Sequence, residues 1–271
     1  MIKQLTLSSC LLLSIALKAQ EDHFKRTNNP SQRYWVLGIG SSTQSMYDEA
    51  ISHVRYENSG MGISFSLLKS NEKKFREFRI EPTFVKLKTK LSNDLRPMEV
   101  STTRIAANYQ YLKKINWDNP KIKLWVGGDA SLLFNFKRAL QLDNSQLVYD
   151  YALSIGPAGK LEKQLRWHKR NCILSYSLSV PVISHIARPY YLNRIEFIDP
   201  KNDFIGDLLN NSNLVTFNKY IRVTSGASVT YPLFNHNALR IGYKWDFYKM
   251  HTINNVYATE HLVSIAFMSN Y

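Results

Sequence analysis

Ser184-His185 is a serine–histidine neighbour pair at a loop edge, and Asp199, Asp203 and Asp207 follow it. A lipase-type centre needs such a nucleophile and base, oriented by a carboxylate or amide. Neighbours in an extended strand point to opposite faces, so this pair is poorly placed for direct proton transfer. Asp48, His53, His185 and His251 are a second set, because acid and imidazole groups gathered at one rim can activate water. Neither set carries a specific motif, and surface or loop histidines are the simpler explanation of both. No spacing of cysteine and histidine suggests a metal site. Gly156-Pro157-Ala158-Gly159 lies inside an extended segment and lacks the helix that a phosphate loop requires. No catalytic residue, metal or cofactor is therefore assigned.

The charged residues with the most regular placement are Arg79, Glu81, Arg104, Asp129, Lys160, Glu162, Arg222, Arg240, Lys244, Asp246 and Glu260. Each falls on the polar side of a segment whose hydrophobicity alternates with period two. In Leu239-Arg240-Ile241-Gly242-Tyr243-Lys244-Trp245-Asp246-Phe247 every odd residue is apolar. Met61 to Leu67, Phe78 to Glu81, Ile105 to Tyr111, Leu174 to Val180 and Ile221 to Thr224 repeat the pattern. About ten such strands are expected, near 34–44, 58–69, 75–90, 99–113, 121–136, 148–162, 170–183, 217–231, 237–249 and 257–271, with eight to twelve as the outer bounds. They reach or exceed the roughly 9–11 residues that cross a bilayer at a 45° tilt, whereas globular strands average about five or six.

Short connections near 69–73, 115–120, 164–169 and 232–236 alternate with longer ones at 45–57, 90–98, 137–147 and 184–216, the arrangement of a transmembrane barrel. The polar face is rich in Ser64, Ser66, Ser154, Ser175, Ser177, Ser179 and Ser228 with Gly62, Gly156 and Gly226. Small polar residues suit a narrow lumen. Trp35, Phe65, Phe78, Tyr109, Tyr111, Tyr231, Tyr243, Trp245 and Phe247 occupy the other face, as an interfacial girdle would. The fold class expected is an all-β, antiparallel transmembrane β-barrel. A soluble lipocalin-like barrel alternates too, with its apolar face inside, and stands as an alternative.

The ends of the chain carry address signals. Met1-Ile2-Lys3, the apolar Leu5–Leu17 and Ala16-Leu17-Lys18-Ala19 have the layout of a secretory signal peptide over residues 1–19, followed by a segment over 20–32 and the barrel over 33–271. Cys10 sits in a lipoprotein-like box, but the apolar run continues past it; only Cys172 then remains, on the apolar face as a small hydrophobe. Val263, Ile265, Phe267 and Tyr271 share one face of the last segment, which ends on an aromatic residue. This resembles the C-terminal β-signal of outer-membrane proteins, and with the leader the chain resembles an outer-membrane β-barrel protein of the Bacteroidota type. The resemblance implies residence in the outer membrane of a Gram-negative bacterium, contact with its lipid, and insertion by the barrel assembly machinery. It implies no particular activity.

Thirty-five Lys and Arg against 21 Asp and Glu give a formal charge of +14. The excess gathers at the short turns, at Lys69, Lys73, Lys74, Lys113, Lys114, Lys121, Lys163, Arg166, Lys169 and Arg170. That distribution fits anionic headgroups or a periplasmic or outer-membrane protein partner, and not nucleic acid. The functions that remain are a structural or accessory barrel, and a narrow solute channel in which a cationic excess in the lumen favours anions. An outer-membrane hydrolase with a site at the extracellular rim, lipase-like or protease-like, is the alternative. The segment 184–216 is long enough to plug the lumen or meet a partner.

Overall fold

The computed structural model describes residues 31–89, 97–116, 122–139, 147–167, 170–188, 212–252 and 254–271. The strands are β1 (Ser31–Asp48), β2 (Ser52–Asn71), β3 (Lys74–Thr89), β4 (Glu99–Ile115), β5 (Ile122–Arg138), β6 (Leu147–Trp167), β7 (Arg170–Ser179), β8 (Ile183–Ala187), β9 (Ser212–Val215), β10 (Tyr220–Pro232), β11 (Ala238–Met250) and β12 (Val256–Asn270). All pair antiparallel with their neighbours. The sheet closes where β1 meets β12, from Tyr34↔Asn270 to Asp48↔Val256, and β5 pairs β6 to complete the ring.

β7 and β8 are two halves of one barrel stave. Both pair β6, β7 through Ala158↔Ser179 to Trp167↔Arg170 and β8 through Tyr151↔Ala187 to Ile155↔Ile183. β9 and β10 form another, pairing β8 and β7 respectively. The barrel thus has ten staves. The break lies at Pro181, which has no N–H to give the ladder. The chain stays attached there because Val180 N donates to Pro157 O at 3.2 Å and Val182 N to Ile155 O at 2.9 Å. Gly156 makes the close approach feasible: a Cβ on it would sit 2.3 Å from Val180 O and 2.6 Å from Pro181 Cα.

The alternation is resolved with the apolar side outward. Ile39 is 65% exposed and Ile265 55%, whereas Asp48 and Asp246 on the inner face are 0% exposed. Trp35, Phe78, Tyr109, Ile155, Tyr176 and Phe267 continue the exposed apolar exterior. A water-soluble barrel would place these the other way round, and a contiguous apolar surface of this extent requires a hydrocarbon surround. This overturns the lipocalin-like alternative. No helix among the described residues is long and apolar enough to cross a membrane; the strands do it. Trp35 packs between Phe65 (5.5 Å between ring centroids) and Tyr271 (5.4 Å) at the short-turn end of the belt.

The staves are longer than the sequence pattern indicates. Their polar outer ends, such as Ser41, Thr43 and Ser45 on β1 or Lys86 and Lys88 on β3, stand beyond the apolar belt at the end opposite the short turns. Two expected loops change accordingly. The segment 45–57 is strand except for a three-residue turn at 49–51, and 184–216 begins and ends in β8 and β9. The expected signal peptide and residues 189–211 lie outside the described residues, as do Lys121, Lys169, Asp199, Asp203 and Asp207.

Candidate functional site: the charged lumen

Inward side chains come from alternate positions of every stave, so residues far apart in sequence face one another across a narrow interior. They sort into three tiers. Nearest the long-loop end, Lys137 Nζ lies 2.5 Å from both Asp48 Oδ2 and Asp150 Oδ2. Arg188 pairs with Asp48 and reaches Asp150 Oδ1 at 3.5 Å. Tyr248 OH donates to Asp150 Oδ2 at 2.7 Å and accepts from Asn135 Nδ2 at 2.9 Å. Two cations meet two anions here, within a buried apolar cluster that includes Met46, Tyr56, Leu87, Val148, Ile186, Met250 and Val256.

The middle tier centres on Asp246. Arg104 Nη2 donates to Asp246 Oδ2 at 2.6 Å, and Arg222 contributes Nη2 at 2.7 Å and Nε to Oδ1 at 3.1 Å. Arg104 Nη1 also lies 3.4 Å from Glu260 Oε2. Lys244 joins Glu260 at 3.5 Å and Glu81 at 2.6 Å. Ser42 Oγ at 2.7 Å and Gln44 Nε2 at 3.0 Å donate to the remaining oxygen of Glu260. The Arg104 guanidinium stands over the Tyr248 ring at 5.7 Å, joining this tier to the one above.

In the tier nearest the short turns, Arg79 Nη2 donates to Glu77 Oε1 at 2.7 Å and Arg240 Nη1 lies 3.5 Å from the same oxygen. Lys160 is 3.0 Å from Glu162 and sits 3.7 Å above the Phe75 ring. Trp125 Nε1 donates to Glu162 at 3.2 Å. Between these side chains lies a small cavity of about 70 Å³, partly open to solvent and lined by Ser64, Ser66, Ser175, Ser177, Ser228 and Ser264. An adjoining recess of about 40 Å³ reaches Asn108, Gln110 and Thr224. Serines at these inward positions leave the room that longer side chains would fill.

All eleven charged residues expected in the lumen face inward. Ten are joined by ion pairs; Asp129 is buried without one among the described residues, accepting from Asn108 Nδ2 at 3.5 Å. Sequence reasoning missed Asp48, Glu77, Lys137, Asp150 and Arg188. Glu77 and Asp150 share parity with assigned neighbours and were legible; the other three sit on stave ends expected to be loop. With them the ion-paired interior and Asp129 hold eight cations and eight anions among the described residues, and Lys123 faces Glu162 at the short-turn mouth, so the inward charges come close to balance. Neutrality follows from the cost of burying an unpaired charge.

The hydrolytic sets do not assemble. Asp48 points inward to Lys137, whereas His53 is on the outer face, with its Nδ1 3.3 Å from Tyr47 OH. His185 faces outward opposite Leu153, its Nε2 2.6 Å from Ser212 Oγ, while Ser184 is buried inside. His251 is exposed in the β11–β12 turn. His261 Nδ1 meets Tyr243 OH at 2.7 Å on the exterior, and Cys172 is a buried free thiol opposite Leu165. No group of three His, Cys, Asp or Glu among the described residues forms a metal-binding cluster. Val263, Ile265 and Phe267 point outward and Tyr271 packs on Trp35.

No protein-family model matches this chain, and no curated protein sequence matches it significantly. Solved structures similar in chain path include the outer-membrane protease OmpT from Escherichia coli, 9% identical over 93% of this chain and 100% of that one, with a TM-score of 0.49. The β domain of the Bordetella autotransporter BrkA is 7% identical, covering 90% and 100%, at 0.41. Neisserial surface protein A is 10% identical, covering 88% and 97%, at 0.36.

Proposed function

We propose that this chain is an integral outer-membrane barrel with a sealed lumen, acting as a structural or accessory component rather than as an open solute channel. The observation that carries this reading is the stack of ion-paired tiers capped by the apolar cluster around Leu87, Tyr248 and Met250. A hydrated ion entering from the short turns meets the serine-lined space and then the Arg104–Asp246–Arg222 bridge. Beyond it stand the buried apolar cluster and the Lys137–Asp48–Asp150–Arg188 ion pairs, and passage would require breaking such pairs, at several kcal/mol each. The near balance of inward charges among the described residues also gives little basis for anion preference.

The basic short-turn rim, including Lys69, Lys74, Lys113 and Arg166, is then the periplasmic end, where it meets anionic headgroups or a periplasmic partner. The outward set Val263, Ile265, Phe267 and Tyr271 is the feature the barrel assembly machinery would read. Two measurements test the proposal together. The detergent-extracted outer-membrane protein should migrate faster on a gel before boiling than after, and the same folded sample should give no steady conductance in planar bilayers. A stable, ion-selective conductance would replace the sealed reading with the channel. Absence from the membrane fraction, with no gel shift, would remove the membrane reading itself.

A further inference from the structure

The exterior of β10 differs from its neighbours. Its outward residues above Tyr231 are Val229, Ala227 and Ser225, while β11 on one side presents Leu239, Ile241 and Tyr243, and β7 on the other presents Leu174, Tyr176 and Leu178. Small side chains between two bulky rows leave a groove along the strand. Near the short-turn end it widens into an open depression whose walls, formed by Trp167, Val229, Tyr231, Leu239 and Ile241, are almost wholly apolar. Its other end closes where Tyr176 leans over β10 and its hydroxyl accepts from Ser225 Oγ at 3.0 Å.

A fixed cation stands at the foot of this groove. The Arg170 guanidinium lies 4.5 Å from the centre of the Phe234 ring and 5.4 Å from that of Tyr231. Its Nη1 donates to Pro232 O at 2.7 Å. Stacking and this one bond orient the planar fork and, among the described residues, engage one of its five N–H donors; such a pre-set fork matches a phosphate bidentately. Arg166 and Lys163 extend the positive charge along the same rim.

We propose that the groove is the binding site of one glycerophospholipid of the leaflet at the short-turn end, its phosphate on Arg170 and an acyl chain laid along Val229 toward Tyr176. The site rests on the membrane-barrel reading but not on whether the lumen is sealed. Arg76 provides an internal comparison: it too lies over a ring, Tyr111 at 5.2 Å, but outward Phe78 and Tyr109 stand beside it where the groove would be.

Native mass spectrometry of the folded protein in detergent, titrated with dioleoyl phosphatidylglycerol, tests the site. The wild-type chain should keep one lipid at collision energies that strip all others. Arg170→Ala and Val229→Trp should each lower that retained fraction about tenfold, the first by removing the phosphate contact and the second by filling the groove. Arg76→Ala should leave it unchanged. Equal retention by wild type, Arg170→Ala and Val229→Trp would overturn the site, as would an equal loss in Arg76→Ala. The heat-dependent gel shift of each variant shows that the barrel has folded; its loss in the wild type would instead count against the membrane barrel.

Discussion

Lys137 and Asp48, 89 residues apart, meet at 2.5 Å with neither side chain exposed to solvent. They join stave β5 to stave β1 across the lumen, and Asp150 and Arg188 complete a neutral foursome with them. Neither ion could be buried alone, so each depends on strands far apart in sequence that closure of the ring brings together.

Removing one member should therefore cost far more than removing a matched pair. Lys137→Met leaves two carboxylates facing Arg188 alone, and breaking a buried pair this way costs about 3–5 kcal/mol. The combined change Asp48→Asn and Lys137→Met keeps one cation and one anion in place, and should recover more than about half of that loss. Urea-dependent disappearance of the fast-migrating gel band measures both. Equal destabilisation by the single and double variants would show that packing, not charge balance, governs this tier.

Asp246 offers a test of how the lumen is closed. Asp246→Asn leaves Arg104 and Arg222 without their shared carboxylate and should lower stability by about 3 kcal/mol or more. It should not open a conductance, because the apolar cluster and the Lys137–Asp48–Asp150–Arg188 ion pairs beyond it remain in place. A conductance appearing in Asp246→Asn alone would mean that this bridge is the single barrier.

Much of this was legible in residue order, Glu77 and Asp150 included, and the failures at Asp48, Lys137 and Arg188 have one physical source. Where a stave crosses the apolar belt, outward residues such as Leu239, Ile241 and Tyr243 contrast with inward Arg240, Gly242 and Lys244, so period two is plain. Beyond the belt both faces are polar or mixed: on β1 outward Ser41, Thr43 and Ser45 alternate with inward Ser42, Gln44 and Met46. The contrast fades and the strand reads as loop. Asp48, Lys137 and Arg188 sit in these stretches, which is why the tightest buried cluster was missed while the middle tier around Asp246 was placed. Pairing across the lumen was out of reach for the same reason that it is stabilising. It depends on closure of the ring, which no local pattern records.

The interruption at Pro181 gives a steric prediction. Gly156→Val would drive a side chain into Val180 O and Pro181 Cα, both backbone atoms that cannot turn aside. A loss of about 2 kcal/mol or more is expected, or failure to close the β6–β8 pairing. Gly159→Ala on the same strand is the control, because a Cβ there meets nothing nearer than Trp125 O at 3.7 Å. It should be neutral or slightly stabilising, as a residue with less unfolded-state freedom. Similar urea midpoints for the two variants would show that the break is pliable.

At the far rim, the β1–β2 turn is clasped to the β11–β12 turn through Glu49. Its carboxylate accepts from Asn255 N at 2.8 Å and from Asn255 Nδ2 at 3.0 and 3.1 Å, while Glu49 N donates to Asn255 O at 3.1 Å. The Asn255 backbone N–H, and then its side-chain amide, favour the charged form and hold the Glu49 pKa below its ordinary value of 4.5. A depressed acid contributes stability that is fully present above its unfolded pKa and is lost as pH falls through the folded one. The clasp should thus be complete at neutral pH and loosen only below the ordinary glutamate range. In the folded protein the Asn255 amide proton resonance should titrate with a midpoint below 4.5, and Glu49→Gln should abolish that titration while leaving the barrel folded. A midpoint at or above the ordinary value would show that the clasp is broken in solution.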